Sequence, residues 1–118
     1  MIARRLKFIR IQGDSMKAFL LTVVAAGSLL IAGQAAADQA LAQKSGCLAC
    51  HGVDKKVLGP AFKDVAAKYK GDKSAEGKLV DKVKKGGSGV WGPIPMPANS
   101  PQVKDGDIQT IVKWIMSL

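Results

Sequence analysis

The sequence predicts an all-α fold for residues 38–118. Three stretches there carry apolar side chains at the three- and four-residue spacing of a helix that faces a core, and a fourth is bounded by residues that start and stop helices. No stretch alternates apolar and polar side chains over the length of a strand, and the sequence contains no internal repeat. Together these observations favour a small helical domain.

Residues 1–37 of the 118-residue chain have the layout of an export leader. The run Ala18–Ala37 carries no charged side chain, follows Lys17 and ends in three alanines, which predicts cleavage before Asp38. The alternative is a retained membrane anchor, because an uncharged run of about 20 residues is also long enough to span a bilayer.

Two features before that run leave the start of the leader open. Met16 would make an ordinary beginning, so residues 1–15 are either an extension of the gene model or an unusually long basic region. The pair Arg4-Arg5 offers twin-arginine export as a less fitting alternative.

The first predicted helix, Asp38–Ser45, has Asp38 available to cap its first turn and Gly46 as its stop. The second, Pro60–Tyr69, begins with a proline, which is well placed in a first turn. Its inward face is formed by four apolar side chains, namely Phe62, Val65, Ala66 and Tyr69.

The third predicted helix runs from Ser74, a good N-cap residue, to Lys85, and Gly86-Gly87 stops it. The fourth runs from about Asp105 to Met116. Its apolar face is formed by Ile108, Ile111, Val112 and Ile115, with Trp114 beside it as a core residue packed against the first helix.

Gly86–Pro101, which we call the strap, joins the third and fourth helices. It holds four glycines and four of the five prolines of the chain. A loop of this length in so small a domain is uncommon and usually functional or disordered. We expect an ordered strap, because its apolar side chains do not suit a solvated linker.

Residues 38–118 contain 13 lysines, no arginine and eight acidic residues, which gives a formal net charge of +5. This balance favours acidic partners. Nucleic acid is not expected, because the segment contains no basic run interleaved with aromatic residues.

The sequence Cys47-Leu48-Ala49-Cys50-His51 is a C-x-x-C-H motif, which is typical of covalent attachment of one haem c. Two thiols at this spacing can each bond one vinyl group of the same porphyrin, and the next residue then places an imidazole at the iron. The motif follows an export leader, which fits haem attachment after export to the periplasm.

Three alternatives for the motif each lack a required part. A dithiol oxidoreductase would place C-x-x-C near a β-α-β pattern, a zinc site needs four ligands, and a structural disulfide leaves His51 unexplained. Cys47, Cys50 and His51 are the only Cys and His residues in the chain.

A haem iron has two axial positions, and His51 is the only histidine available for them. Two methionines lie after Asp38. Met116 ends an apolar helix, where methionine usually fills a core, whereas Met96 lies in the strap between two prolines. We therefore predict Met96 as the second axial ligand, with an open or water-bound position as the alternative.

The chain resembles the small class I bacterial cytochromes c of the c-551/c-552 type over essentially all of residues 38–118. Three stretches carry the resemblance: Gly46–His51, Leu58–Ala66 and Gly87–Pro97. It implies a four-helix fold wrapped around one covalent haem, with a proline- and glycine-rich methionine loop.

The resemblance also implies roles for three further residues. The Pro60 carbonyl would accept a hydrogen bond from the His51 ring, Trp91 would donate its indole N–H to a haem propionate, and Asn99 would hydrogen-bond near the methionine sulfur.

The chain departs from the family pattern in two places. The interval from Met96 to Trp114 is about two residues longer than the family pattern, and Lys104 replaces the usual Ser or Thr cap of the fourth helix. Asp105 is the alternative cap.

The resemblance implies a monomeric periplasmic carrier that passes single electrons between acidic-surfaced partners. Examples are a cytochrome bc complex as donor and a terminal oxidase or nitrite reductase as acceptor. Contact with the membrane is expected only through partner complexes or an uncleaved leader. Two alternatives are a ligand-binding or catalytic haem protein in which Met96 dissociates, and a haem-free thiol redox protein.

Overall fold

The computed structural model describes residues 32–118, and residues 34–118 form one compact unit. The described residues contain helices and no strand. The elements in chain order are α1 (residues 32–44), a 3-10 turn (Cys47–Ala49), α2 (Phe62–Lys68), α3 (Ala75–Lys85) and α4 (Asp105–Met116). The all-α prediction is confirmed.

The predicted leader lies mostly in residues 1–31, outside the described residues. Helix α1 already includes residues 32–37, so the prediction that it begins at Asp38 is wrong for the full chain. The three alanines before Asp38 are good helix formers and extend the helix. Asp38 lies inside it, and its Oδ1 accepts a hydrogen bond from Gln34 at 3.0 Å instead of capping a first turn. No helix within residues 32–118 is long and apolar enough to cross a membrane.

Helix α2 begins two residues later than predicted, because Ala61 is extended, with φ −60° and ψ 143°. The loop after the C-x-x-C-H motif supplies acceptors for the first two N–H groups of the helix. Phe62 donates to Gly52 at 2.9 Å and Lys63 donates to Val53 at 3.1 Å. The motif loop and α2 are thereby joined into one unit.

Ser74 occupies the N-cap position of α3 as predicted, but its side chain does not cap the helix. Its hydroxyl donates to Asp72 Oδ1 at 2.6 Å, and its backbone N–H donates to the same oxygen at 2.8 Å. Lys78 Nζ lies 3.0 Å from Asp72 Oδ2. Asp72 therefore organises the start of α3, and its pKa falls from 3.8 to about 2.

The predicted bounds of α4, Asp105 to Met116, are confirmed. Lys104 is the N-cap residue, and no side chain caps the helix, so the alternative assignment of Asp105 as cap is wrong. Asp105 is instead the first helical residue and accepts from Lys84 Nζ at 2.7 Å. Lys84 lies near the end of α3, so this ion pair joins the two helices.

Helix α4 forms the centre of the core, because both α2 and α3 pack against it. Ile108 and Val112 are its most completely buried large side chains. Trp114 is buried in a cluster that also contains Ala42 of α1, which confirms the predicted packing. The other buried members of this cluster are Phe62, Val65, Ile111 and Ile115.

The strap (Gly86–Pro101) closes on itself through paired backbone hydrogen bonds. Gly87 N–H donates to the Met96 carbonyl and Met96 N–H donates to the Gly87 carbonyl, both at 2.9 Å. Gly89 donates to Gly92 at 2.8 Å nearer the tip. Asn99 N–H then donates to the Val83 carbonyl of α3 at 3.1 Å. These bonds attach the methionine end of the strap to the end of α3.

Candidate haem site

The residues predicted for the site surround one cavity of about 510 Å³. Helices α2, α3 and α4, the motif loop and the strap all contribute to its wall. Every residue named as a site candidate lies there: Cys47, Cys50, His51, Pro60, Trp91, Met96 and Asn99. Met116, the other methionine of residues 38–118, is half-buried and does not line the cavity.

The two cysteines are free thiols at the same end of this cavity. The 3-10 turn brings them together, because the N–H groups of Cys50 and His51 both donate to the Cys47 carbonyl, at 3.3 and 3.0 Å. Partial burial raises the pKa of the Cys47 thiol. The two thiols are not bonded to each other in this structure.

The His51 imidazole is held by three neighbours. Its Nδ1 lies 2.8 Å from the Pro60 carbonyl oxygen. A carbonyl only accepts, so the proton is on Nδ1, and Nε2 keeps its lone pair for a metal. The Phe62 ring stacks on the imidazole with centroids 5.1 Å apart, and Phe62 itself meets Trp114 edge-on at 5.6 Å. The imidazole is thus connected to the core.

Gly59 provides the third contact with His51. A Cβ at this position would lie 2.4 Å from His51 Cε1 and 2.8 Å from Nδ1. Such distances are far below van der Waals contact, so only glycine lets the backbone approach the ring this closely. Gly59 lies in one of the stretches that carry the resemblance, but its role could not be predicted from the sequence, because the contact depends on how the loop folds back over the ring.

Asn99 lines the cavity, but both hydrogen bonds of its amide nitrogen go to backbone carbonyls. Nδ2 donates to Val83 at 3.2 Å and to Pro97 at 3.1 Å. With its two N–H groups engaged, the side chain holds the strap against α3. In this structure it does not supply the expected donor to the methionine sulfur.

Trp91 is 42% exposed and therefore is not a core aromatic residue. It lines the cavity from the strap, with the Nζ of Lys68 5.3 Å from the centroid of its ring. The contact with Lys68 was not foreseen from the sequence, because the two residues lie in different elements.

The cavity wall has the chemistry that a haem requires. It combines two thiols, one imidazole and one thioether with a mainly apolar lining, to which Leu58, Leu79, Val83, Val90 and Ile94 contribute. Three lysines also line it, namely Lys56, Lys78 and Lys82. Lys82 is half-buried and forms no ion pair among the described residues, so its ammonium is available to a carboxylate.

No group of three or more His, Cys, Asp or Glu residues in the described part of the chain is arranged to hold a metal ion by itself. The two thiols, the imidazole, the thioether and the apolar lining of the cavity fit an iron porphyrin, and the Lys82 ammonium fits its carboxylate side chains.

A family model described as Cytochrome c matches residues 35–118. Cytochrome c-551 of Pseudomonas aeruginosa is 50% identical over 99 residues, which cover 83% of this chain and 93% of the relative. Cytochrome c-552 of Nitrosomonas europaea is 50% identical over 103 residues, which cover 87% of this chain and 99% of the relative.

The solved structures agree with these sequence relatives. The crystal structure of wild-type Nitrosomonas europaea cytochrome c552 matches with a TM-score of 0.65 at 50% identity, covering 68% of this chain and 98% of that chain. The class 1 cytochrome MtoD from Sideroxydans lithotrophicus matches with a TM-score of 0.60 at 34% identity, covering 69% and 91% of the two chains. The chain belongs to the cytochrome c family, as a small class I electron carrier with one covalent haem c.

Proposed function

We propose that the protein is a periplasmic shuttle for single electrons whose haem iron is held between His51 and Met96. The observation that carries the proposal is that one cavity is lined by the two motif thiols, the imidazole and the strap methionine, while Met116 lies outside it. When bound, the haem supplies an iron that alternates between Fe(III) and Fe(II).

Cys47 and Cys50 would hold the haem covalently through thioether bonds. A covalent link suits a small domain, because the group then cannot dissociate and contributes permanently to the core. The half-buried thiols already lie at the cavity wall. Covalent attachment of a haem of this type takes place after export, so the proposed thioether bonds support a periplasmic location. The predicted leader also favours that location.

His51 would act as one axial ligand through Nε2. The hydrogen bond to Pro60 fixes the tautomer and the plane of the ring, and it makes the imidazole a stronger electron donor. Packing of Phe62 on the ring and the close approach of Gly59 leave little room for rotation. The geometry on this side would then change little when an electron moves.

Met96 would act as the second axial ligand. Its backbone is fixed by the two hydrogen bonds with Gly87, and the flanking prolines restrict the strap further. A neutral thioether favours Fe(II) and raises the reduction potential, and an apolar cavity acts in the same direction. With protein ligands on both sides, no position remains for a substrate, which supports a carrier and not an enzyme.

Lysines near the cavity support transient docking with acidic redox partners. By the resemblance, we expect six lysines near the ends of the elements that surround the haem, and two of them, Lys84 and Lys85, pair with acidic residues of this chain. The remaining four, namely Lys44, Lys55, Lys56 and Lys82, form no ion pair among the described residues. Free lysines of this kind speed encounter without holding the partner tightly, as exchange between a bc complex and a terminal oxidase or nitrite reductase requires.

Spectra of the haem-loaded protein test the ligation. We expect Met96→Ala to change the spin state of Fe(III), to lower the reduction potential and to allow carbon monoxide to bind Fe(II) near neutral pH. The matched control is Met116→Ala, which removes a methionine outside the cavity and should leave all three properties unchanged.

Three results would contradict the proposal. Material without visible absorption would exclude the haem, and an unaltered spectrum in Met96→Ala would exclude this methionine as ligand. Carbon monoxide binding by the unmodified protein would favour the ligand-binding alternative with a labile Met96.

A further inference from the structure

The tip of the strap (residues 88–95) has few polar connections to the rest of the molecule. Its one backbone hydrogen bond, from Gly89 to Gly92, is internal. No side-chain hydrogen bond or ion pair joins the tip to another element within residues 32–118. The paired bonds between Gly87 and Met96 hold only its base.

One charged contact crosses from a helix to this tip. Lys68, the last residue of α2, places its Nζ 5.3 Å from the centroid of the Trp91 ring. This distance lies within the range of about 6 Å over which an ammonium is attracted to an aromatic face. Lys68 therefore joins the tip of the strap to α2.

The pairing of Lys68 with Trp91 occurs despite a nearby acidic residue. Asp64 lies four positions earlier on the same helix, a spacing at which Asp and Lys often form an ion pair. No such pair is present among the described residues, and Lys68 forms no other ion pair there. The side chain is directed to the strap and not along its own helix.

We propose that Lys68 is a positioning residue for Trp91 and keeps the tip of the strap closed over the haem cavity. The inference rests on the proposed function, since the cavity is taken to hold the haem. Trp91 lines the cavity and is 42% exposed, so its other packing is limited. Loss of the ammonium should let the tip open more often without releasing the base of the strap, where Met96 lies.

Amide hydrogen exchange in the haem-loaded protein tests this role, because it reports how often a segment opens. In Lys68→Gln we expect the backbone amide of Gly89, the one amide of the tip that donates a backbone hydrogen bond, to exchange about two- to five-fold faster, the change that an exposed cation–π contact implies. Lys68→Arg keeps a cation at the ring and should restore the original rates.

Lys70→Gln is the matched control, because it removes the same charge two residues away, from a side chain that forms no cation–π contact with Trp91. It should leave the exchange rates of the tip unchanged. In a Trp91→Leu background, Lys68→Gln should add no further acceleration, since the aromatic partner is already absent.

Unchanged exchange in Lys68→Gln would overturn the inference. Equal acceleration in Lys68→Gln and Lys70→Gln would also overturn it, because the effect would then be one of net charge. The proposed ligation is judged separately, by the visible spectra of the unmodified protein and Met96→Ala. Failure of one proposal is therefore distinguishable from failure of the other.

Discussion

The Nδ1 of His51 and the carbonyl oxygen of Pro60 lie 2.8 Å apart, although the two residues are separated by nine positions in the chain. The intervening loop folds back because Gly59 N–H donates to the Cys50 carbonyl at 2.8 Å and Leu58 N–H donates to the same oxygen at 3.1 Å. The loop that begins at His51 therefore folds back over the His51 imidazole. This arrangement limits the size of the side chain that fits at position 59, directly before Pro60.

Gly59→Ala should displace the imidazole. The added methyl group would lie 2.4 Å from His51 Cε1, so the ring or the loop must move. We expect a loss of about 1 to 3 kcal/mol in the free energy of unfolding, together with a shift in reduction potential. Denaturant unfolding and redox titration of the haem-loaded protein measure the two effects.

Gly77→Ala is the control for this change, because a Cβ there, in the first turn of α3, meets nothing within 4 Å. It should stabilise the protein by up to about 1 kcal/mol through helix propensity. If Gly59→Ala behaved like Gly77→Ala, the close approach to His51 would have no energetic importance.

Gly86→Ala should loosen the junction between α3 and the strap. Gly86 has φ +72°, which alanine adopts at a cost, and a Cβ there would lie 2.4 Å from the Met96 carbonyl oxygen. We expect a loss of about 1 to 3 kcal/mol from the backbone strain, with added crowding beside the methionine. Unfolding and the visible spectrum check the result.

Gly89, at the tip of the strap, is the control for Gly86, because an alanine there would introduce backbone strain without crowding. Gly89 has φ +105°, but a Cβ there meets nothing within 4 Å. Gly89→Ala should therefore be less damaging and leave the spectrum unchanged. Equal effects of the two substitutions would argue against crowding at Met96.

Ile108→Ala should strongly destabilise the domain. Ile108 is completely buried in α4, the helix against which α2 and α3 pack. Truncation of such a side chain costs about 2 to 5 kcal/mol. Leu118→Ala is the control, because Leu118 is 41% exposed and its loss should change the unfolding free energy by less than about 0.5 kcal/mol. If Ile108→Ala and Leu118→Ala lowered the free energy of unfolding by similar amounts, the result would contradict the position of α4 at the centre of the core.

Asp72 should make stability depend on pH in the acid range. Its pKa is lowered from 3.8 to about 2, first by the Ser74 hydroxyl and then by Lys78 and the Ser74 amide. A carboxylate whose pKa is lowered by folding stabilises the protein above its unfolded pKa. That contribution is lost as the pH falls from about 3.8 towards 2.

The difference in unfolding free energy between the unmodified protein and Asp72→Asn should therefore be constant above about pH 5 and shrink below it. Ser74→Ala removes the largest cause and should return the pKa of Asp72 part of the way to 3.8, as measured by NMR titration of the carboxyl group. A difference that stays constant down to pH 2 would show that the native state does not hold this carboxylate ionised.

The sequence predicted the interior of the helices better than their ends. The bounds of α4 were predicted closely, because an apolar face repeated over three turns leaves few alternatives. The starts of α1 and α2 were misplaced. At the first, alanines continue the helix through Asp38, and at the second, Ala61 is extended and the loop carbonyls of Gly52 and Val53 accept from the first two N–H groups of the helix.

The amino-acid sequence alone determined the helical class and the C-x-x-C-H motif, and it predicted the candidate ligand residues, since each depends on residue types at short spacing. Only the tertiary structure decided which side chains share the cavity, how Gly59 and Phe62 enclose His51, where the Asn99 amide donates and that Lys68 reaches Trp91. The physical reason is that these contacts join residues of different elements. Their distances depend on how the helices pack around α4, and local spacing carries no information about that packing.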